Sequence, residues 1–370
     1  METYYLKEII RQFSIEGTVD TVLPLGNGLI NDTFWVRTEE VDKPDYVLQR
    51  INHHIFTDVG LLQHNIEAVT QHLRRKLLAE GVADVDRRVL RFVPTFDDKT
   101  YHFDGESYWR VSVYIADALT VDAVTPRSSY DCGRAFGHFQ QQLLDLAVPL
   151  GETIPDFHNM ELRISQLRQA VADDLAGRVK EVGGELELIE ARAEEMCLAE
   201  SLHRQGLLPK RICHCDTKVN NMLFDRDGQV LCILDLDTVM PAYIFSDYGD
   251  FLRTAANSQP EDSPELDQIA FRWDIYGAFT RGYLESTSSF LTPVEREHLP
   301  YAVALFPFMQ AVRFLTDYLN GDTYYKIRYP RHNFVRTRNQ LRYFELVDAE
   351  RERMWNFIQS STRMSTASPA

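Results

Sequence analysis

Several things are scarce in this 370-residue chain, and each scarcity narrows what the chain can be. Cysteine is one: Cys132, Cys197, Cys213, Cys215 and Cys232 are odd in number and form no C-x-x-C pair. Reduced thiols and a cytoplasmic location are therefore expected rather than a disulfide scaffold. Long apolar runs are missing too, with no stretch of about 18 uninterrupted apolar residues, so no membrane-spanning helix is expected. The opening METYYLKEIIRQF is amphipathic and lacks the basic region and apolar run of a secretory signal. Basic charge is short: 39 Lys and Arg stand against 55 Asp and Glu, a net charge of −16. That balance argues against nucleic acid or an anionic membrane as the main partner. No G-x-S-x-G occurs, so a serine-hydrolase elbow has no support.

What is present divides by period. Tyr5, Leu6, Ile9, Ile10 and Phe13 are spaced for a helix. Val19 to Leu25, Thr33 to Thr38 and Tyr46 to Asn52 are β-branched or aromatic runs separated by turn residues, as three antiparallel strands require. A helix over Leu61 to Leu78 follows, then strands over Val89 to Val93, Thr100 to Asp104 and Tyr108 to Ile115. Beyond them the pattern is mainly helical: Cys132 to Leu146, Glu161 to Val179, Leu186 to Leu202, Tyr248 to Ala256, Pro264 to Leu284, Pro293 to Leu319 and Asn333 to Phe357. The fold class read from this order is α+β, a small sheet-bearing part followed by a larger helical one. The Ser/Thr-rich end, residues 359–370, reads as a disordered tail.

The chemistry concentrates in Ile212 to Met240, ICHCDTKVNNMLFDRDGQVLCILDLDTVM. Asp216 sits in a loop entering a strand and can orient or deprotonate a hydroxyl. Asn221, five residues later, offers a hard carbonyl oxygen suited to Mg2+. The turn at Asp227-Gly228 reverses the chain, and Asp235 closes the returning strand. Taken singly, these are a turn residue, a cap and a helix start. Together they suit phosphoryl transfer, where positioning and charge neutralisation do most of the work. Cys213, His214 and Cys215 are adjacent and cannot close a tetrahedral metal site, so His214 is expected to order the loop through a hydrogen bond.

HCDTKVNN followed by ILDLD resembles the H-x-D-x-x-x-x-N and I-D-x-x-D/E motifs of the aminoglycoside phosphotransferase and choline kinase superfamily. The longer strings GNGLINDTF, YVLQRIN, HCDTKVNNMLFD, LDLDTVMP and RFLTDYLNGDTYYKI look like those of N-acetylhexosamine 1-kinases. The similarity runs from about residue 15 to residue 345. It implies a protein-kinase-like bilobal fold, with a nucleotide-binding lobe over residues 1–113, a hinge over 114–118 and a catalytic and acceptor lobe over 119–358. It further implies ATP and Mg2+ as cofactors and a small-molecule sugar as partner. Asp216 would be the base, and Asn221 and Asp235 the metal ligands. The Gly26-Asn27-Gly28 turn would cover the phosphates, and backbone at Tyr114 and Ile115 would hold the adenine. Asn31, Arg313 and Tyr324 would meet the sugar.

Two departures from the family pattern bear on these expectations. Where relatives carry Lys or Arg on the third strand, this chain reads Gln49-Arg50. Strand alternation puts the two on opposite faces, so either Gln49 replaces the cation or a bulge turns Arg50 inward. Glu67, the expected helix partner of such a cation, depends on that outcome. Leu29 stands where the sugar kinases tend to place His, which removes a polar contact. The leading expectation is a kinase for the anomeric hydroxyl of N-acetylglucosamine or N-acetylgalactosamine. Alternatives are the same fold acting on another sugar, an amino alcohol or an aminoglycoside, and a nucleotide-binding scaffold without turnover.

Overall fold

The computed structural model describes residues 2–26 and 30–366. The chain forms two compact units, one of Met1–Leu119, Asp145–Pro155 and Met222–Val239, the other of Thr120–Leu144, Asp156–Asn221 and Met240–Ala370. In the first unit, α1 (Glu2–Ile10) buries Leu6, Ile9 and Ile10 on one face, as its spacing predicts. The strands β1 (Val19–Pro24), β2 (Asp32–Thr38) and β3 (Tyr46–Ile51) follow, then α2 (Val59–Ala79), α3 (Val85–Arg88), β4 (Phe92–Val93), β5 (His102–Phe103) and β6 (Tyr108–Val113). They make an antiparallel sheet of order β1-β2-β3-β6-β4, with β5 against β6. Period-two alternation sends Val36, Leu48, Trp109 and Val111 into the core that α1 covers. Asp58 starts α2 by accepting from the Leu61 amide.

The chain then enters the second unit through α4 (Pro126–Gln142), α5 (Met160–Asp173), α6 (Gly183–Met196), α7 (Leu198–Arg204) and β7 (Arg211–Cys213). The expected helix over Cys132 to Leu146 starts earlier, because Thr125 forms a capping box with Ser128 and Pro126 stands in the first turn. The hairpin β8 (Met222–Phe224) and β9 (Val230–Ile233) belongs to the first unit. Back in the second lie β10 (Met240–Ala242), paired with β7, then α8 (Phe245–Ala255), α9 (Trp273–Thr287), α10 (Pro293–Glu297), α11 (Leu299–Leu319), α12 (His332–Asp348) and α13 (Arg351–Thr366).

Several expected helices are shorter or divided. Residues before Trp273 are not the helix expected from Pro264. They are held as a loop by the Asn257–Phe271 bridge and by Asn339 Nδ2 donating to the carbonyls of Pro260 and Ser263. The Pro293 to Leu319 segment breaks at His298, two residues before Pro300, which cannot donate into a continuing helix. In the expected tail, α13 instead runs on through Thr366, anchored by the buried Met354 and Ile358. Residues 367–370 lie outside the described ones. By length and composition α11 is apolar enough to cross a bilayer, but most of it is buried inside the unit.

α4 and α9 pack backbone to backbone. A Cβ on Gly282 would lie 2.1 Å from the Tyr130 carbonyl oxygen, and one on Gly133 would lie 2.2 Å from that of Phe279. Gly282→Ala is therefore expected to destabilise the protein by about 1–3 kcal/mol, as overpacking does. Gly184→Ala in α6, with nothing within 4 Å, is the control. Urea unfolding in which the two variants behave alike would contradict this close packing.

Candidate active site

In the second unit, β7 delivers the chain into a loop whose conformation is fixed from α8. Asp247 and Asp250 stand one turn apart on that helix and share a face. Asp247 Oδ2 accepts from the His214 amide (3.0 Å) and from Gln140 Nε2 (2.8 Å), and its Oδ1 accepts from the Cys215 amide (2.8 Å). Asp250 Oδ2 accepts from the Thr217 amide (3.2 Å), and Thr217 Oγ1 donates to the Asp247 carbonyl (2.8 Å). These bonds flank Asp216 on both sides. Burial pushes both Asp247 and Asp250 upward, and Arg253 partly offsets this at Asp250. Arg253 continues the network to Glu261; against the upward push of burial, Arg253 and Arg336 hold that carboxyl at about 2.

Asp216 itself is partly accessible, its side chain 21% exposed. Asn221 Nδ2 donates to its Oδ2 (3.1 Å) and to its backbone carbonyl (2.8 Å), so the two residues paired by the sequence are in contact. Since the amide nitrogen faces Asp216, Asn221 keeps Oδ1 as its acceptor end. Lys218 Nζ lies 3.0 Å from Asp216 Oδ1, a neighbour the sequence reading passed over. His214, buried edge-on to Phe136 and Phe139, accepts from the Asp216 amide through Nδ1 (3.3 Å), the ordering role expected of it. Cys215, immediately before Asp216, has φ 65°. A non-glycine residue held there costs about 1–3 kcal/mol, and the bonds to Asp247 are what hold it.

In the first unit, Gly228 takes φ 76° in the turn between β8 and β9, and Asp225 Oδ1 accepts from the amides of Asp227 and Gln229 (2.9 Å each). Asp235 follows β9 with φ 54°, making no capping bond to the 3-10 turn Leu236–Thr238. Two residues on, Asp237 is nearly fully buried. Arg110 Nη1 lies 2.6 Å from its Oδ1 as an ion pair, Asn31 Nδ2 donates to its Oδ2 (2.7 Å), and Thr153 Oγ1 donates to its carbonyl (2.8 Å).

The strand register bears on the Gln49 and Arg50 alternatives. β3 pairs with β2 and β6 in unbroken register, so no bulge turns Arg50. Arg50 is half exposed and paired with Asp32. Gln49 lies opposite Arg110 and accepts from its Nε (2.9 Å), while Gln49 Nε2 donates to Thr33 (3.3 Å). The cation on this face is thus Arg110, one strand over. Glu67 accepts from Thr100 Oγ1 instead of meeting a cation. Asn31, expected at the sugar, has both ends of its carboxamide in use, since its Oδ1 accepts from the Asn52 amide (3.0 Å). Of the glycine turn, Gly26 has φ 69°, a conformation open to glycine, whereas Asn27, Gly28 and Leu29 lie outside the described residues. The Tyr114 amide donates to the Asp45 carbonyl (2.9 Å), and Ile115 is buried beside Leu231 and Cys232.

Arg313, expected at the sugar, lies over the rings of Phe157 (5.3 Å) and Tyr325 (5.7 Å) in the second unit. Asp317 accepts from the amides of Thr323, Tyr324 and Tyr325, which fixes the turn carrying both tyrosines. Tyr324 is exposed and edge-on to Tyr325. Sequence reasoning missed Arg110, Asp237, Asp247 and Asp250. A D-x-x-D pair within SDYGDF was the available signal for the last two; the first pair reads as ordinary strand and turn residues. All five cysteines are free thiols, and among the described residues no group of three or more His, Cys, Asp or Glu is arranged for a metal.

Comparison with known proteins agrees with this architecture. Spectinomycin phosphotransferase APH(9)-Ia, solved with ADP and spectinomycin, superposes with a TM-score of 0.55 at 11% identity, over 98% of this chain and 99% of that one. Amicoumacin kinase hAmiN, solved with AMP-PNP, Ca2+ and Ami, gives 0.56 at 13%, over 97% and 93%. Choline kinase LicA from Streptococcus pneumoniae gives 0.53 at 16%, over 92% and 98%. The fold is theirs, kinase-like and α+β. The profile of the phosphotransferase enzyme family, APH, matches residues 21–284, and the chain belongs to that family.

Proposed function

We propose that this protein is an ATP- and Mg2+-dependent kinase that phosphorylates the anomeric hydroxyl of an N-acetylhexosamine, giving the 1-phosphate. The observation that carries the reading is the clamped loop in which Asp216 stays accessible while Asn221 bonds to it. Asp216 takes the hydroxyl proton, a task within reach of one carboxylate because the anomeric hydroxyl is the most acidic on the ring. Asn221, through Oδ1, and Asp235 would hold Mg2+, an all-oxygen donor pair of the kind it prefers; when bound it neutralises phosphate charge. Arg313 and Tyr324 contact the sugar. Asn31 acts one step back, by holding Asp237.

Leu29, in place of the family's usual His, favours a second reading in which the acceptor is another sugar. ADP release measured across free sugars, an amino alcohol and an aminoglycoside tests both. Mg2+-dependent release with N-acetylglucosamine or N-acetylgalactosamine is expected. Silence from every sugar beside a response to the amino alcohol or aminoglycoside would reject the sugar assignment.

A further inference from the structure

Between α4 and α5 the chain leaves the second unit, and Asp145–Pro155 belongs to the first. Pro149, Gly151 and Pro155 keep this stretch out of a helix, and it is laid along one face of α2 as a strap. Leu61, Asn65, His72 and Lys76 make that face, which spans roughly 22 Å at the rise of an α-helix. At one end Lys76 is ion-paired with Asp145, and His72 Nε2 lies 3.2 Å from the same carboxylate. At the other, Asn65 pairs with both backbone groups of Gly151: its Oδ1 accepts from the amide (3.2 Å) and its Nδ2 donates to the carbonyl (2.8 Å). Glycine permits that approach, since a Cβ there would lie 2.9 Å from Leu61 Cδ1.

Strap and helix also reach the turn that follows Asp235. The second hydrogen of Asn65 Nδ2 goes to the Val239 carbonyl (2.9 Å), and Thr153 Oγ1 donates to the Asp237 carbonyl (2.8 Å). Asn65, Thr153, Asp237 and Val239 are all buried. The turn is thus gripped in two ways: Arg110 and Asn31 hold the Asp237 side chain from the sheet, while Thr153 and Asn65 hold two of its carbonyls. Val239 closes it by donating its amide to the Leu236 carbonyl (3.1 Å). Asp235 stands directly before this turn with φ 54°. A non-glycine residue keeps that conformation where its surroundings over-determine it, so the anchors on the turn set the direction of its carboxylate.

Resting on the reading of Asp235 as a metal ligand, we infer that Thr153 and Asn65 are positioning residues for the metal. The strap fixes the turn, and the turn aims the Asp235 carboxylate. Mg2+ demands near-octahedral placement of its oxygens, so a turn loosened at its carbonyls weakens metal-dependent nucleotide binding and spares the metal-free part.

Calorimetric titration of the full chain with a non-hydrolysable ATP analogue, with and without Mg2+, reads this apart from turnover. Thr153→Val keeps the shape of the side chain and removes its donor. It is expected to cut the gain in affinity that Mg2+ brings by about fivefold, the size of one hydrogen bond, with affinity in the absence of Mg2+ unchanged. Thr153→Ser returns the donor and with it most of the gain, and Thr153→Ala serves if the valine variant folds poorly. Gly282→Ala, destabilised in the other unit, should keep the full gain, which separates aim from stability. In an Asp235→Asn background, Thr153→Val should change nothing further, because the ligand it aims is gone. An unaltered Mg2+ gain in Thr153→Val, an equal loss with and without the metal, or the same loss in Gly282→Ala would overturn the inference. No Mg2+ gain in the parent, or a full gain kept in Asp235→Asn, would sink the reading of Asp235 as a ligand and the inference with it.

Discussion

Asp216→Asn is expected to lower ADP release by about 10³-fold while ATP affinity and folding are retained, the size of effect a general base supplies. The substitution is nearly isosteric, and the loop does not depend on the Asp216 carboxylate for its shape. Asp247 and Asp250 hold the amides on either side, and Cys215 is fixed in its left-handed conformation by Asp247. What the amide loses is the ability to take a proton, together with the negative charge that Lys218 meets. The expected kinetic signature is a fall in kcat with little change in the KM for ATP. Residual activity within about tenfold of the parent would remove Asp216 from the role of base.

Arg110→Met is expected to destabilise the first unit by about 3–5 kcal/mol, the usual result of stripping one partner from a buried ion pair. Asp237 has almost no exposure, and without Arg110 its charge keeps, among the described residues, only the Asn31 amide as a side-chain donor. The Gln49 carbonyl loses its donor in the same step. Combining Arg110→Met with Asp237→Asn should cost clearly less than the sum of the two single changes, because the second change removes the stranded charge. Urea unfolding followed by a probe in the sheet, such as Trp109 fluorescence, gives the cycle. Additive effects would mean that the two residues are not coupled.

How far the sequence spoke for itself depended on whether a residue's partner was near in the chain. β1, β2, β3 and the hairpin of β8 and β9 were legible because alternation and turn residues are local signals, and Asp227-Gly228 marks its own turn. The contact between Asp216 and Asn221 was legible for the same reason. Arg110 was not: within YWRVSVYI it is one polar residue in a strand, and only Asp237, far along the chain, makes its burial intelligible. The same holds for Asp247, whose role appears once α8 is set beside the loop after β7. Helix breaks at Cys197 and between Asp348 and Arg351 carry no glycine or proline, so periodicity ran straight through them.

In the proposed reaction, phosphate goes from ATP to the anomeric oxygen of a sugar. Phosphorus NMR of a reaction of the protein with ATP, Mg2+ and N-acetylglucosamine reads the position of transfer directly. A phosphate monoester is expected, formed in step with ADP, whose signal is coupled to the anomeric proton. A monoester coupled to the protons at carbon 6, or ATP left intact with no monoester formed, would contradict it.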